Sequence, residues 1–225
     1  MSNSIKDQQK LHVYFMPGMA ANPSIFENIC LPDDTFVIHY LDWIIPDKGI
    51  SLEDYALKMC SYIKHNNAVL VGVSFGGILV QEMSKHIQVR KVIIISSVKD
   101  NTELPKRMIF AKYTNMHKLL PTGLVNNVEL LAKYAFGETV TKRLALYEQY
   151  LSIRDKYYLD WSIHNIVNWK QSRPMKNTIH IHGEKDPVFP IGHIKNCISV
   201  KNGTHTMIIH RFRWFNEHLP TIILQ

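Results

Sequence analysis

The chain has 225 residues, 46% of them hydrophobic and 20% charged, with a mean hydropathy of −0.11. That is enough apolar material for the core of one α/β domain, or of one domain carrying a large insertion, and it excludes general disorder. The net charge of +7 and pI of about 9.2 leave open an acidic partner such as nucleic acid, a membrane surface or an anionic substrate.

The polar N-terminus, Met1 to Lys10, gives way to Leu11–Met16, which reads as the first strand. It is too short for a signal-peptide core, and no apolar run approaches the roughly 20 residues of a membrane span, so a soluble, cytoplasmic protein is expected. Thr35–Tyr40 is the second predicted strand. Ser51–His65 reads as a helix, with Ser51 as N-cap and Asp54 three residues on in a capping-box-like start. Ala68–Val73, the third strand, passes almost without a loop into a helix over Phe75–His86, and Lys91–Ser97 is the fourth strand.

From Lys99 to Lys176 there is no strand pattern, only helix-like segments punctuated by Pro105, Pro121, Gly123, Gly137 and Pro174. The interval is too long for one crossover and reads as a helical insertion. Strands resume at Asn177–His182 and Cys197–Lys201, and a helix over Thr206–His218 closes the pattern. Near-continuous apolar strands alternating with helices predict an α/β fold with an open, doubly wound, mostly parallel sheet of about six strands. Residues 1–98 and 177–225 form its core, and 99–176 are inserted into it as a cap.

The third strand ends in Gly72-Val73-Ser74-Phe75-Gly76-Gly77, a G-x-S-x-G sequence between a buried strand and a helix. A serine there sits on a strained turn with its hydroxyl raised above the sheet edge, and the glycines let strand and helix approach closely. The Phe75 N–H, at the helix N-terminus, points where an oxyanion would form. Such a serine needs a base, and the base needs an orienting carboxylate. Asp186 lies in the loop after Asn177–His182, and His205 in the loop after Cys197–Lys201. The chain order Ser74, Asp186, His205 is the one that a nucleophile elbow on such a sheet uses. Asp100, after the fourth strand, is the alternative acid, and His210, one turn into the closing helix, the alternative base.

These segments resemble the α/β-hydrolase superfamily. G-V-S-F-G-G resembles its elbow, His182-Gly183-Glu184-Lys185-Asp186-Pro187-Val188-Phe189-Pro190 its acid loop, and Gly203-Thr204-His205-Thr206-Met207 its histidine loop. Phe15-Met16-Pro17-Gly18-Met19 resembles its oxyanion loop, which implies the Met19 N–H as the second oxyanion donor beside Phe75. Pro17 stands where the family commonly has histidine, so a role for that side chain is lost while a backbone donor survives. The resemblance implies a minimal sheet lacking the family's first two strands, ordered 4-3-5-6-7-8 in the family's strand numbering. It also implies that some members carry the acid where Asp100 stands. Of ten glycines, six (Gly18, Gly72, Gly76, Gly77, Gly183, Gly203) fall in these four loops.

The expected activity is that of a serine hydrolase cleaving a carboxylic ester or thioester of a small molecule, with no cofactor. A ligand receptor on the same scaffold, or a serine-triad C–C hydrolase or lyase, is the alternative. Nucleic acid is not an expected partner, because no helix-turn-helix, RNP, KH or zinc pattern occurs. The basic surplus concentrates in Lys99–Lys176, with 13 Lys/Arg against 7 Asp/Glu, as a solvated helical face or as an attraction for anionic substrates. No metal is expected. His180 and His182 alternate on a strand without a carboxylate or cysteine cluster, and Cys30, Cys60 and Cys197 are too far apart for a disulfide framework. The aromatic stretch Tyr157–Trp161, continuing to Trp169, reads either as the lining of an acyl pocket or as cap-helix core.

Overall fold

The computed structural model describes residues 10–114 and 149–225. Six strands form one sheet: β1 (Leu11–Met16), β2 (Phe36–Tyr40), β3 (Val69–Val73), β4 (Lys91–Ile95), β5 (Thr178–Gly183) and β6 (Ile198–Val200). Their order is β2-β1-β3-β4-β5-β6 and every neighbouring pair is parallel. This is the order that the resemblance implied. Parallel strands covered on both faces must be apolar at successive positions, and all five residues of β3 are buried.

The chain runs outward from β1 to β2 and then returns to place β3 on the other side of β1. Loops leaving the C-terminal ends of β1 and β3 therefore diverge, opening the crevice where such sheets bind ligands. The register sets Met16 beside Gly72, so residues 17–19 and Ser74 emerge side by side.

Six α-helices are present among the described residues: α1 (Leu52–Cys60), α2 (Phe75–Met83), α3 (Lys106–Tyr113), α4 (Lys156–Val167), α5 (Met207–His210) and α6 (Phe212–Leu224). Ser51 caps α1 as expected, its Oγ accepting from the Asp54 N–H at 3.0 Å. This helix stops at Cys60, five residues before the expected end, because tertiary bonds take over. The Lys64 N–H donates to the buried Tyr14 hydroxyl at 3.0 Å, and Asn67 turns the chain through a left-handed conformation (φ 55°). The expected single helix over Thr206–His218 is broken at Arg211 and continues to Leu224 through Pro220. Burial of Leu219, Ile222 and Ile223 in the core holds that last stretch helical despite the missing proline N–H.

Of the interval expected to be a cap, residues 115–148 lie outside the described residues. The described part holds a 3-10 turn (Asn101–Glu103), α3 and α4, and no strand. Its basic surplus is not all one solvated face. Lys99 is buried, with its ammonium donating to the Lys195 and Asn196 carbonyls and lying 3.8 Å from Glu103. No helix among the described residues is long and apolar enough to cross a membrane.

Candidate active site

Ser74 occupies the single-residue link between β3 and α2 with φ 52° and ψ −120°, a conformation strained for any side chain but glycine. Neighbouring elements hold it there. Its N–H donates to the Ile95 carbonyl at 2.9 Å, and its own carbonyl accepts from the Gly77 N–H at 2.9 Å and the Ser97 hydroxyl at 2.7 Å. The turn is possible only because strand and helix touch backbone to backbone: a Cβ at Gly72 would overlap the Gly76 carbonyl, and one at Gly76 the Pro17 carbonyl.

Three predicted residues meet above this turn. His205 Nε2 lies 2.9 Å from Ser74 Oγ, and His205 Nδ1 lies 2.9 and 3.1 Å from the two Asp186 oxygens. Asp186 and His205 are both buried. Burial alone would raise the Asp186 pKa, but the adjacent His205, His182 and the Phe189 N–H outweigh it and hold the carboxyl below its ordinary value. An ionised carboxylate can only accept, so His205 Nδ1 carries the proton, and its Nε2 lone pair accepts from the Ser74 hydroxyl.

The acid loop is fixed from both sides. Asp186 Oδ1 accepts from the Val188 and Phe189 N–H groups at 2.8 and 3.0 Å. Arg107 of α3 donates to the Pro187 and Val188 carbonyls at 2.6 and 2.7 Å. His182 donates from Nε2 to the Phe189 carbonyl at 2.8 Å, and its Nδ1 pairs with His180 Nε2 at 3.0 Å. His180 and His182 therefore brace this loop. The carboxylate of Asp100 is engaged elsewhere: it caps the 3-10 turn, accepting from the Thr102 N–H and hydroxyl at 2.8 and 2.6 Å. His210 ends α5.

Phe75 is the first residue of α2, so its N–H is among those a helix leaves without an intrahelical acceptor. On the other side of the crevice, Gly18 abuts Ser74 closely enough that a Cβ there would touch Ser74 Cβ at 3.4 Å. Two aromatic residues hold this loop, and neither belongs to any motif. Trp43 donates from Nε1 to the Gly18 carbonyl at 2.8 Å while its ring stacks on Phe75 at 5.0 Å. The fully buried Tyr158 of α4 accepts the Ala20 N–H at 3.3 Å. Tyr158, Trp161 and Trp169 thus read as core, with Trp161 and Trp169 donating to the Ile50 carbonyl and to Glu82. A sequence signal for Trp43 was absent because its partner lies 25 residues away.

Burial pushes His180 and His182 below the ordinary imidazole pKa, in His180 with help from His182 and Lys99, in His182 against the pull of Asp186. A histidine held neutral in the fold binds fewer protons than in the unfolded chain once the pH drops below about 6.5. Stability is therefore expected to fall as pH drops from about 6.5 toward 5. In His180→Gln this acid limb should be shallower in urea melts across that range. An unchanged limb would contradict the buried neutral pair.

Solved structures share this architecture. An enol-lactonase from Burkholderia xenovorans LB400 matches at a TM-score of 0.70 and 14% identity, covering 96% of this chain and 92% of that one. The chain has the α/β-hydrolase fold. A bromoperoxidase from Bacillus anthracis matches at a TM-score of 0.70 and 17% identity, covering 96% and 92% of the two chains. An esterase from Exiguobacterium antarcticum matches at 0.65 and 18%, covering 96% and 93%. No family model matches the sequence, and no curated protein matches it significantly. Within the α/β-hydrolase fold, Ser74, Asp186 and His205 stand on the loops after β3, β5 and β6, at the C-terminal edge of the sheet.

Proposed function

We propose that the protein is a serine hydrolase acting on a carboxylic ester or thioester of a small molecule through an acyl-enzyme. The observation that carries this reading is the continuous set of hydrogen-bonding contacts from Ser74 Oγ through His205 to Asp186, at 2.9 Å on each side of the imidazole. Esterase and lactonase among the fold's neighbours support a hydrolase in general.

In this reading Ser74 Oγ attacks the acyl carbon while His205 Nε2 takes the hydroxyl proton. The Phe75 and Met19 N–H groups hold the oxyanion of the tetrahedral adduct. Collapse expels the alcohol or thiol, which receives the proton from His205. Water then attacks the acyl-enzyme, giving its proton to His205, and the carboxylic acid leaves as Ser74 regains its hydrogen. Asp186, ionised throughout, fixes the imidazole tautomer and stabilises the imidazolium.

Hydrolysis of p-nitrophenyl esters of graded acyl length, and of the matching acyl thioesters, tests the proposal. Turnover well above the buffer rate for at least one acyl length is expected. Rates equal to buffer across both series would overturn it.

A further inference from the structure

A second cluster of reactive side chains lies away from the triad, on β1, the edge strand β2 and the loop between α1 and β3. His12 and Tyr14 are alternate residues of β1 and share one face of the sheet. His39 of β2 is level with Tyr14 and stacks on it, with ring centroids 4.4 Å apart. His65 lies over the same face, its ring 3.5 Å from that of His12. His12 Nδ1 and His39 Nε2 are 2.9 Å apart, and one ring nitrogen from each histidine lies within 4.8 Å of the others. All three are partly exposed, so an ion can reach them from solvent.

We propose that His12, His39 and His65 form a binding site for a divalent transition metal of the imidazole-preferring class, such as Zn2+, with Tyr14 orienting His65. Tetrahedral zinc with Zn–N bonds of about 2.0–2.1 Å sets its ligand nitrogens about 3.4 Å apart. The His12–His39 pair is within a few tenths of an ångström of that spacing, and His65 completes the set by turning its ring out of the stack.

The surroundings favour this. Two ligands stand on paired strands, so their backbone separation is fixed before any ion arrives. The third is held by Tyr14, whose hydroxyl lies 2.6 Å from His65 Nδ1 and accepts the Lys64 N–H at 3.0 Å. A phenol oxygen can either donate to Nδ1 or accept its proton. In the second case the lone pair of His65 moves to Nε2, the usual arrangement in which an outer partner sets the ligand tautomer. The fourth position is left to water or another ligand. Bound metal would clip the edge strand and the α1–β3 loop to β1, a structural role separate from the ester chemistry.

The test uses the full chain freed of metal with EDTA and titrated with Co2+, then Zn2+. One equivalent of Co2+ should give the intense visible bands of a tetrahedral centre, which Zn2+ displaces. At 100-fold excess over Kd, Zn2+ should raise Tm by about 5 °C or more. His65→Asn, a loop substitution that spares the sheet, and His39→Asn should each abolish both effects. Tyr14→Phe should weaken binding about 10- to 100-fold, while His193→Asn should leave it intact. Circular dichroism of the metal-free variants verifies that each is folded. No stoichiometric binding by the wild type, or binding undiminished in folded His65→Asn and His39→Asn, would overturn the site. Neither result bears on ester turnover.

Discussion

Ser74→Ala is expected to lower kcat on a p-nitrophenyl ester by about 10⁴-fold or more while leaving the fold intact. The magnitude follows from the interdependence of a nucleophile, its base and its carboxylate: once the nucleophile is gone, the other two lose their function and only binding and oxyanion stabilisation remain. The fold should survive because what holds residue 74 is backbone. Its N–H and carbonyl are bonded to Ile95, Gly77 and Ser97, and none of these bonds uses the Ser74 side chain. Matching Tm values with activity lost would separate chemistry from stability. Wild-type activity in Ser74→Ala would remove the proposed nucleophile.

The second large effect concerns the acid. Asp186→Asn should cost about 10⁴-fold in kcat, because an amide facing His205 Nδ1 stabilises the wrong tautomer and leaves no negative charge beside the imidazolium. Asp100→Asn should cost little in turnover, since that carboxylate caps a turn. Tm should change little as well, because the asparagine Oδ1 can still accept from the Thr102 N–H. A severe kinetic loss in Asp100→Asn with little loss in Asp186→Asn would reverse the assignment.

These residues were readable in the sequence because chemistry and close packing constrain them tightly. An elbow needs glycines where backbones touch, and a triad needs a serine, an acid and a histidine on loops at one edge of the sheet, here those after β3, β5 and β6. The parallel sheet was readable for a related reason, since apolar runs covered on both faces leave few topologies; its strand order was implied by the resemblance of the loops to the α/β-hydrolase superfamily. Helix ends were harder. α1 stops at Cys60 because Tyr14, fifty residues earlier, captures the Lys64 N–H, and α6 continues through Pro220 because Leu219, Ile222 and Ile223 are buried. Propensity and spacing carry no trace of either contact. Trp43 and Tyr158, which anchor the loop opposite Ser74, were hidden similarly, since each bonds a backbone group distant in the chain. The individual roles of the basic residues in 99–176 were not legible in the sequence either. Lys99 is a buried clamp and Arg107 holds the acid loop, so part of the charge positions the site.

The central claim is that Ser74 is a nucleophile activated by His205. Incubation with a fluorophosphonate, followed by peptide mass mapping, tests it most directly. One covalent adduct per chain on the peptide containing Ser74 is expected, with labelling lost in Ser74→Ala and strongly slowed in His205→Ala. A folded wild-type chain that takes no label, or one labelled elsewhere with Ser74 untouched, would contradict it.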